Sequence, residues 1–469
     1  MHPLSTPVSS RFRLARRVRE LTAAGPTAFL RALEGGPRGF WGRGDRWAAW
    51  GGALARIEVP SAGPEGGRFA EVRRRSSSVL DTRKAGWADV PAEDRPRFFG
   101  GFSFLGRPAR GERWEGFPSA GFVLPRILLE GDGGRLRLIV QGVDGDKGHV
   151  LDEEADRFVT FLSKVSPSEA LPCAGDVSGV GRGVERPDRD EWERAVRKVL
   201  RAVEAGEVRK AVLARILDVD FPDPVDSIRA LRCLREENPD THVFYFEPRP
   251  GRILLGAAPE TLARVQGDAF SATAVAGSVR RGGDPEEDAT LAKYLLRSGK
   301  DREEHRLTAE EMAEILAPRL EGLRVEEEPR VLPLARIQHL ETVLRGRLRG
   351  EEDVLSLVEV LHPTPAVCGR PREAALALIR DAEPFDRGWY AGPVGWFDPA
   401  GDGHFVPALR SAVGMDRSWR LFAGAGVVSG SVPDSEWRET RLKFDPALRA
   451  LEAASATPSA TGPAPGDAT

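Results

Sequence analysis

The stretch FAGAGVVSGSVPDSEWRET, residues 422 to 440, changes character at its middle. Its first half is a run of small and apolar residues that continues SWRL from residue 418, and this composition predicts a buried β-strand. Its second half is strongly charged and begins at Pro433, followed by Asp434 and Ser435. Either of these polar side chains is a favourable N-cap. The stretch therefore predicts a strand that leads directly into a helix.

The helix predicted after Pro433 carries Glu436, Glu439 and Lys443. At about 3.6 residues per turn, these three side chains share one face. One interpretation is a solvated face on which Glu439 and Lys443 form an ion pair worth roughly 0.2 to 0.5 kcal/mol. The other is half of a Mg²⁺ site, because Mg²⁺ takes hard oxygen ligands from one or two carboxylates and from substrate. The helix alone is compatible with both.

The composition limits the class of protein. The 469 residues are enough for two or three ordinary domains or for one large α/β or α+β unit. A net charge of −3 gives no sign of a nucleic-acid partner, and no window has the roughly 18 apolar residues that a membrane span needs. Cys173, Cys233 and Cys368 have no CxxC spacing, so we expect neither a disulfide framework nor a zinc site. A cytoplasmic location is the simplest expectation.

Strands and helices are predicted in mixed order along the chain. Residues 1–185 form an N-terminal lobe with short apolar runs broken by glycine, such as 97–106, 119–130 and 135–142, which are typical of antiparallel strands. The Gly- and Asp-rich stretch 173–190 predicts a loop or lobe boundary. Helices are then predicted at 191–207 and 300–320, and strands at 208–221, 241–248, 251–265, 389–398, 403–414 and 418–428. No steady βαβ period is present, so we expect an α+β fold with mainly antiparallel sheets. Residues 453–469 predict a disordered tail.

Three further charged residues occupy positions that suit chemistry. Lys210 shares a strand face with Val212 and other apolar residues, so its ammonium either points into an apolar interior, where desolvation lowers the pKa, or extends back to water. Glu260 ends an apolar strand, where it is either a desolvated general acid or a solvent-exposed turn residue. Glu304 lies early in the second helix and would complete a carboxylate site if that helix met the one after Pro433.

Seven segments in this order resemble one known family. They are RKAVLAR, GAAPETL, AVAGSVRRG, KDREEHRL, LHPTPAVCG, EPFDRGWYAGPVGW and FAGAGVVSGSVPDSEWRET. Together they resemble the chorismate-binding enzymes, which include isochorismate synthase, anthranilate synthase component I, aminodeoxychorismate synthase component I and salicylate synthase. The resemblance covers residues 190–450 and extends only weakly into the N-terminal lobe. It implies an α/β sandwich of two large, mainly antiparallel sheets flanked by helices, like anthranilate synthase component I, with chorismate and Mg²⁺ in a cleft of one compact unit.

The resemblance also implies roles for individual residues. Lys210 and Glu260 resemble the base and the acid of the reaction, and Glu304, Glu436 and Glu439 resemble the ligands of Mg²⁺. The implied substrate-binding residues are Gly277, Ser278, His362, Thr364, Tyr390, Arg410, Gly424, Gly426 and Lys443.

The segment HPTPA, residues 362–366, indicates the branch of the family. The branches that add ammonia carry a Pro-Pro-Gly or Pro-Gly-Gly type of string here, whereas HPTPA with Lys210 resembles isochorismate synthase. In that branch water attacks C2 of chorismate and the C4 hydroxyl leaves, so no glutaminase subunit is expected. Isochorismate feeds menaquinone or siderophore biosynthesis. The alternatives are an amine-adding component I, a salicylate synthase, or a non-catalytic relative, which would need a broken set of site residues.

Overall fold

The computed structural model describes residues 14–33, 35–61, 67–80, 84–87, 89–143, 146, 148–164, 173 and 182–455. The strands in these ranges are β1 (Leu14–Leu21), β2 (Arg38–Arg43), β3 (Arg46–Gly51), β4 (Ala55–Val59), β5 (Phe98–Phe102), β6 (Ala120–Leu124), β7 (Ile127–Asp132), β8 (Arg135–Val143), β9 (Arg182–Arg186), β10 (Lys210–Asp220), β11 (His242–Arg249), β12 (Arg252–Ala258), β13 (Ala263–Gln266), β14 (Ala269–Arg280), β15 (Leu320–Val325), β16 (Arg330–Pro333), β17 (Ile337–Leu348), β18 (Gly369–Arg370), β19 (Pro393–Phe397), β20 (Gly403–Pro407), β21 (Ser411–Met415) and β22 (Ser418–Val427).

The helices in the same ranges are α1 (Pro26–Ala32), α2 (Gly67–Val79), α3 (Lys84–Trp87), α4 (Gly148–Lys164), α5 (Arg189–Glu204), α6 (Ser227–Glu237), α7 (Pro285–Arg297), α8 (Gly299–Leu316), α9 (Val354–Leu361), α10 (Arg372–Ala382) and α11 (Pro433–Ser455), with short 3₁₀ turns at Ala92–Asp94 and Glu112–Trp114.

Two antiparallel sheets form the framework. The first has 12 strands in the order β1-β8-β7-β3-β2-β11-β12-β21-β22-β10-β18, with β9 paired to β10. The second has 10 strands in the order β15-β17-β14-β13-β20-β19-β5-β6-β4, with β16 paired to β17. The N-terminal strand β2 pairs with β11, and β5 pairs with β19. Residues before 185 therefore contribute to both sheets, and the predicted α+β fold with two large antiparallel sheets is confirmed.

Three hydrophobic clusters define the layers. The central cluster joins residues of the two sheets, such as Trp50 and Phe99, whose rings stack with centroids 4.2 Å apart. A second cluster packs α1, α4, α6 and α11 on the outer face of the 12-stranded sheet. A third packs α2, α8 and α9 on the outer face of the 10-stranded sheet. Burial of apolar side chains on both faces of each sheet explains why the strands carry near-continuous apolar runs.

The stretch 422–440 folds as predicted, apart from the N-cap of its helix. Residues 418–427 form β22, and α11 begins at Pro433 itself. The backbone N–H groups of Ser435 and Glu436 donate to the Val432 carbonyl at 3.0 and 3.1 Å, so the first turn closes one residue earlier than expected. Asp434 therefore lies within that turn and pairs with arginines instead of capping the helix.

Several other boundaries differ from the prediction, and the predicted strand 251–265, for example, is two strands, β12 and β13. The stretch 173–190, predicted as a loop or boundary, includes β9, which pairs with β10. Its residues 174–181 lie outside the described residues. The region 403–414 holds two strands, β20 and β21, because a turn around Arg410 separates them. Helix α11 continues to Ser455, where buried small residues still contact the core, so the predicted tail begins too early. The rest of that tail lies outside the described residues.

The expectation that the cysteines form no disulfide is wrong. Cys173 and Cys233 are bonded, with Cα atoms 5.1 Å apart across 60 positions of sequence. Cys233 belongs to the buried face of α6, and its distance from Cys173 depends on packing that sequence spacing does not express. Cys368 is free and buried. The cytoplasmic location stays a prediction and draws no support from the cysteines.

Candidate active site

Three glutamate–lysine pairs lie together beside the edge of the 12-stranded sheet. Lys210 Nζ is 3.2 Å from Glu304 Oε1, Lys300 Nζ is 2.9 Å from Glu436 Oε1, and Lys443 Nζ is 2.6 Å from Glu439 Oε1. The three carboxylates are those that sequence resemblance assigns to a metal. We call these six residues the acidic centre.

Three elements supply the acidic centre. Lys210 is the first residue of β10, Glu304 lies in α8 with Lys300 one turn before it, and the other three residues come from α11. The pair between Lys300 and Glu436 joins α8 to α11, so the two helices that the sequence could not connect meet here. The side chain of Lys210 is fully buried and also donates to Thr308 Oγ1 at 3.1 Å. Of the two orientations that the sequence left open for Lys210, the structure shows the interior one.

Burial and mutual repulsion act on the carboxylates. Burial, reinforced by the charge of Glu439, raises the pKa of Glu436 to about 7, although the Lys300 ammonium opposes this shift. Burial also acts to raise the pKa of Glu304, but the charges of Lys210, Lys300 and Lys443 outweigh it and hold that pKa below its ordinary value. The acidic centre therefore depends on cations for its charge balance.

The donor set of the acidic centre fits a hard divalent cation. Both carboxylate oxygens of Glu436 are buried and accept no well-formed hydrogen bond, although Lys300 lies in ion-pair range of one of them. Carboxylate oxygens are the ligands that Mg²⁺ prefers. Among the described residues, no group of three or more His, Cys, Asp or Glu side chains is close enough together to hold a metal ion. Lys300 is the cation that lies among them.

Glu260 follows β12 and lines a cleft next to the acidic centre. Its side chain is 1% exposed, and its Oε1 has no hydrogen-bond partner among the described residues. Burial raises the pKa of Glu260 to about 8, with Lys210 acting against this shift and Glu341 adding to it. At neutral pH the carboxyl group is protonated, so it can donate a proton into the cleft.

The cleft contains about 680 Å³ of empty space, its mouth included, between the two sheets. Arg410 and Lys443 bring positive charge to its lining. Backbone strain is concentrated here, because Ala391 and Arg410 both line the cleft and both have positive φ angles, of 59° and 49°. Residues in this conformation cost free energy and are often found at functional sites. A charged, constrained cleft of this kind suits a small anionic ligand.

Arg410 contacts His339 of β17, and the contact determines the tautomer of the ring. Arginine has only donors, so His339 Nε2 accepts from Arg410, and Nδ1 carries the proton that it donates to the Gly277 carbonyl at 3.1 Å. Burial, together with the charges of Arg410 and Lys443, keeps the pKa of His339 well below its usual range. The neutral ring therefore holds the arginine in place beside Gly277 and Ser278.

Gly424 and Gly426 of β22 line the cleft at points where an added Cβ would crowd neighbouring side chains. A Cβ on Gly426 would lie 2.0 Å from Glu304 Oε1 and 2.9 Å from Lys210 Cε. A Cβ on Gly424 would lie 3.0 Å from the hydroxyl of Tyr390, whose ring stacks on Phe422 with centroids 4.8 Å apart. A larger residue at either position would therefore require neighbouring side chains to move.

Not every residue predicted to bind substrate reaches the cleft. Gly277, Ser278, Tyr390, Arg410, Gly424, Gly426 and Lys443 line it. His362 does not, because its Nε2 bonds the Phe104 carbonyl at 3.0 Å, and Thr364 is also absent from the lining. Their segment contributes Ala366 and Val367 instead. Gly277 has a φ of 74° at a register shift in β14, which turns Ser278 toward His339.

Three residues of the candidate site escaped the sequence prediction. His339 lies in β17 between Gln338 and Leu340, and no local sequence signal marks it. Lys300 belongs to KDREEHRL and Arg387 to EPFDRGWY, so both lie within segments that carry the family resemblance. The structure places Arg387 in the cleft lining and Lys300 in the acidic centre.

Fold and site together define an α+β enzyme with a positively charged cleft beside a carboxylate cluster. A family model described as chorismate binding enzyme matches residues 7–452, and the chain belongs to this family. The match reaches almost to the N-terminus, so the resemblance is broader than residues 190–450.

Similarity to individual proteins supports the same family. The chain is 37% identical over 407 residues to the salicylate biosynthesis isochorismate synthase of Pseudomonas aeruginosa, covering 86% of this chain and 82% of that protein. Its structure resembles that of MenF, the menaquinone-specific isochorismate synthase from Escherichia coli, with a TM-score of 0.77, 26% identity and coverage of 96% and 97% of the two chains.

Anthranilate synthase component I from Streptococcus pneumoniae shares the fold, with a TM-score of 0.65, 21% identity and coverage of 76% and 81%. This likeness agrees with the sandwich architecture expected from the sequence. Among the described helices, none is both long and apolar enough to span a membrane.

Proposed function

We propose that the chain is an isochorismate synthase that converts chorismate to isochorismate and requires Mg²⁺. The observation that carries the proposal is the buried, protonated carboxyl group of Glu260 in the cleft lining of a chorismate-binding enzyme, with the buried Lys210 paired to Glu304 of the same lining. A hydroxyl exchange needs one group that takes a proton from water and one that gives a proton to the leaving oxygen.

In the proposed reaction water adds to C2 of chorismate while the ring double bonds shift and the C4–O bond breaks. Lys210 is the proposed acceptor of a proton from the attacking water. Glu260 donates its proton to the C4 oxygen, which leaves as water. One water molecule enters and one leaves, so the reaction is an isomerisation without oxidation or reduction. Thr308 and Glu304 hold the Lys210 Nζ atom in position through contacts of 3.1 and 3.2 Å.

The substrate carries carboxylates, and the cleft offers cations to hold them. Arg410, held by His339, and Lys443, which donates to the Gly424 carbonyl at 2.9 Å, are the proposed anchors. Glu304, Glu436 and Glu439 are the residues that would hold Mg²⁺. When bound there, the ion supplies positive charge to a substrate carboxylate.

Water, rather than ammonia, is the proposed nucleophile, so the reaction needs no glutaminase subunit. The product supplies menaquinone or siderophore synthesis. The test is turnover of chorismate by the purified chain with Mg²⁺, in the presence and absence of ammonium salts, with products separated by chromatography.

We expect isochorismate under both conditions and no reaction in EDTA. An aminated product formed at a comparable rate would assign the chain to the amine-adding branch, and release of pyruvate with salicylate would assign it to the salicylate synthases. Absence of any turnover would overturn the enzymatic assignment.

A further inference from the structure

Lys300 occupies the position between the two helices of the acidic centre. Its Nζ lies 2.9 Å from Glu436 Oε1 on α11, and 4.0 Å from Glu304 Oε2 and 3.9 Å from Asp301 Oδ1 on its own helix. The side chain of Lys300 is 25% exposed, whereas those of Glu304 and Glu436 are 7% and 1% exposed. The ammonium group therefore stands between buried carboxylates and solvent.

Lys300 is held differently from the other two lysines of the acidic centre. Lys210 is fully buried and also bonded to Thr308, and Lys443 also donates to the Gly424 carbonyl. The contacts that the structure gives Lys300 are all with carboxylates. Its flexible four-carbon stem and its partial exposure give the ammonium a short path to water. Lys300 is the member of the centre that can leave without breaking the cleft wall.

The positive charge of Lys300 affects how a divalent cation can bind at Glu436. Each of the three glutamates is paired with one lysine, and Lys300 is the lysine that pairs with Glu436. The Lys300 ammonium lies 2.9 Å from one oxygen of the Glu436 carboxylate, so a divalent cation held by that carboxylate would lie close to it. Two cations at one buried carboxylate repel each other strongly where solvent is excluded.

We propose that Lys300 is the resident counter-ion of the acidic centre and that Mg²⁺ binds by displacing its ammonium group to solvent. The inference rests on the proposed magnesium site and adds a positioning residue that sets how tightly that site holds the ion. Because part of the binding free energy is spent in separating the Lys300–Glu436 pair, Mg²⁺ binds more weakly than the three carboxylates alone would allow. Removing the Lys300 charge is expected to strengthen Mg²⁺ binding.

The test is calorimetric titration of Mg²⁺ into the full chain without substrate, on wild type, Lys300→Met, Lys300→Arg and Glu436→Gln. Arg306→Gln is the matched control, since it removes one positive charge from the same helix, where Arg306 pairs with Glu303 and Glu310 outside the centre. We expect Lys300→Met to bind Mg²⁺ at least tenfold more tightly than wild type, and Lys300→Arg and Arg306→Gln to remain within about twofold of it.

Thermal unfolding gives an independent readout. In EDTA the melting temperature of Lys300→Met is expected to fall below that of wild type, because buried carboxylates lose their counter-ion, and Mg²⁺ should raise it by more than it raises the wild-type value. Lys300→Gln serves in place of Lys300→Met if circular dichroism shows that the methionine variant is unfolded.

The outcomes separate this inference from the proposed function. Equal or weaker Mg²⁺ binding by the neutral variants, with binding still lost in Glu436→Gln, would overturn the role of Lys300 and leave the magnesium site standing. Absence of Mg²⁺ binding to wild type, with or without chorismate, would overturn the magnesium site itself and this inference with it.

Discussion

The Nζ atom of Lys210 lies 3.2 Å from Oε1 of Glu304, so the proposed base contacts a proposed metal ligand directly. The two residues come from β10 and α8 and are separated by 94 positions in sequence, and Thr308 of the same helix also binds Lys210. The proposed proton transfer and the proposed cation binding therefore share one site. A change in either residue is expected to affect both.

The acid and the base are each expected to be needed for turnover. Lys210→Ala and Glu260→Ala should each lower the rate by roughly 10² or more, the scale of losing one general acid or base, and should lower kcat more than they raise KM. Steady-state kinetics on variants whose folding is checked by circular dichroism measures this. Arg209→Ala is the control, because Arg209 is exposed and pairs with Glu303 outside the cleft. Near wild-type kcat in a folded Lys210→Ala protein would contradict the assignment of the base.

The rate is expected to fall at alkaline pH. Glu260 must be protonated to donate, and burial raises its pKa to about 8. The proton is therefore present below that pH and is lost above it, so kcat should decline as the pH rises through about 8. The measurement is a pH–rate profile, compared with that of Glu260→Gln. A wild-type rate that stays constant to pH 10 would exclude Glu260 as the acid.

Stability should also respond to the raised pKa of Glu260. In the unfolded chain the group titrates near its model value of 4.5, and in the folded chain near about 8, so folding binds a proton between these values. The contribution of the protonated carboxyl group to stability is complete below the unfolded pKa and is lost as the pH rises toward the folded one.

Glu260→Gln removes this dependence, because the amide does not titrate. Between pH 5 and pH 8.5 the wild type should lose this contribution to its free energy of unfolding, whereas Glu260→Gln should not. The difference in free energy of unfolding between the two proteins should therefore shift in favour of the variant, by on the order of a few kcal/mol. Urea unfolding at the two pH values measures the difference. An unchanged difference between the proteins would show that the carboxyl group is solvated in the folded state.

Gly426 is expected to be essential for activity. In Gly426→Ala the new methyl group meets Glu304 Oε1 at 2.0 Å and Lys210 Cε at 2.9 Å, so both side chains must move. We expect a folded protein whose kcat/KM falls by at least about 10² because misplacement of catalytic groups is costly. Gly86→Ala is the control, since a Cβ there meets nothing within 4 Å. Comparable activity of the two variants would show that the cleft accommodates the methyl group by adjusting elsewhere.

The carboxylates of α11 are expected to be required for metal-dependent turnover but not for folding. Glu436→Gln and Glu439→Gln should each abolish activity at ordinary Mg²⁺ concentrations. Burial raises the pKa of Glu436, so replacing it with a neutral amide should leave the melting temperature unchanged or higher. Activity assays with increasing Mg²⁺ and thermal unfolding measure both effects. Glu310→Gln, which alters an exposed carboxylate of α8, is the control. Full activity of either α11 variant would refute the metal site.

Local sequence patterns predicted much of this protein. Strand periodicity placed Lys210 on an inward face, and helical periodicity placed Glu436, Glu439 and Lys443 on one face of α11, both as observed. The order of motifs predicted the family. These features depend on residues a few positions apart, whose relative geometry is set by the repeat of a strand or a helix.

Tertiary structure alone decided which of these residues meet. The pairing of α8 with α11 through Lys300 and Glu436, the contact of His339 with Arg410, and the disulfide between Cys173 and Cys233 join parts of the chain that are 60 or more positions apart. The register of β10 and β22, which sets Gly426 opposite Val212, likewise brings Gly426 beneath Glu304. Such contacts follow from sheet order, register and helix packing, which arise from burial of the whole apolar surface and leave no periodic trace in the local sequence.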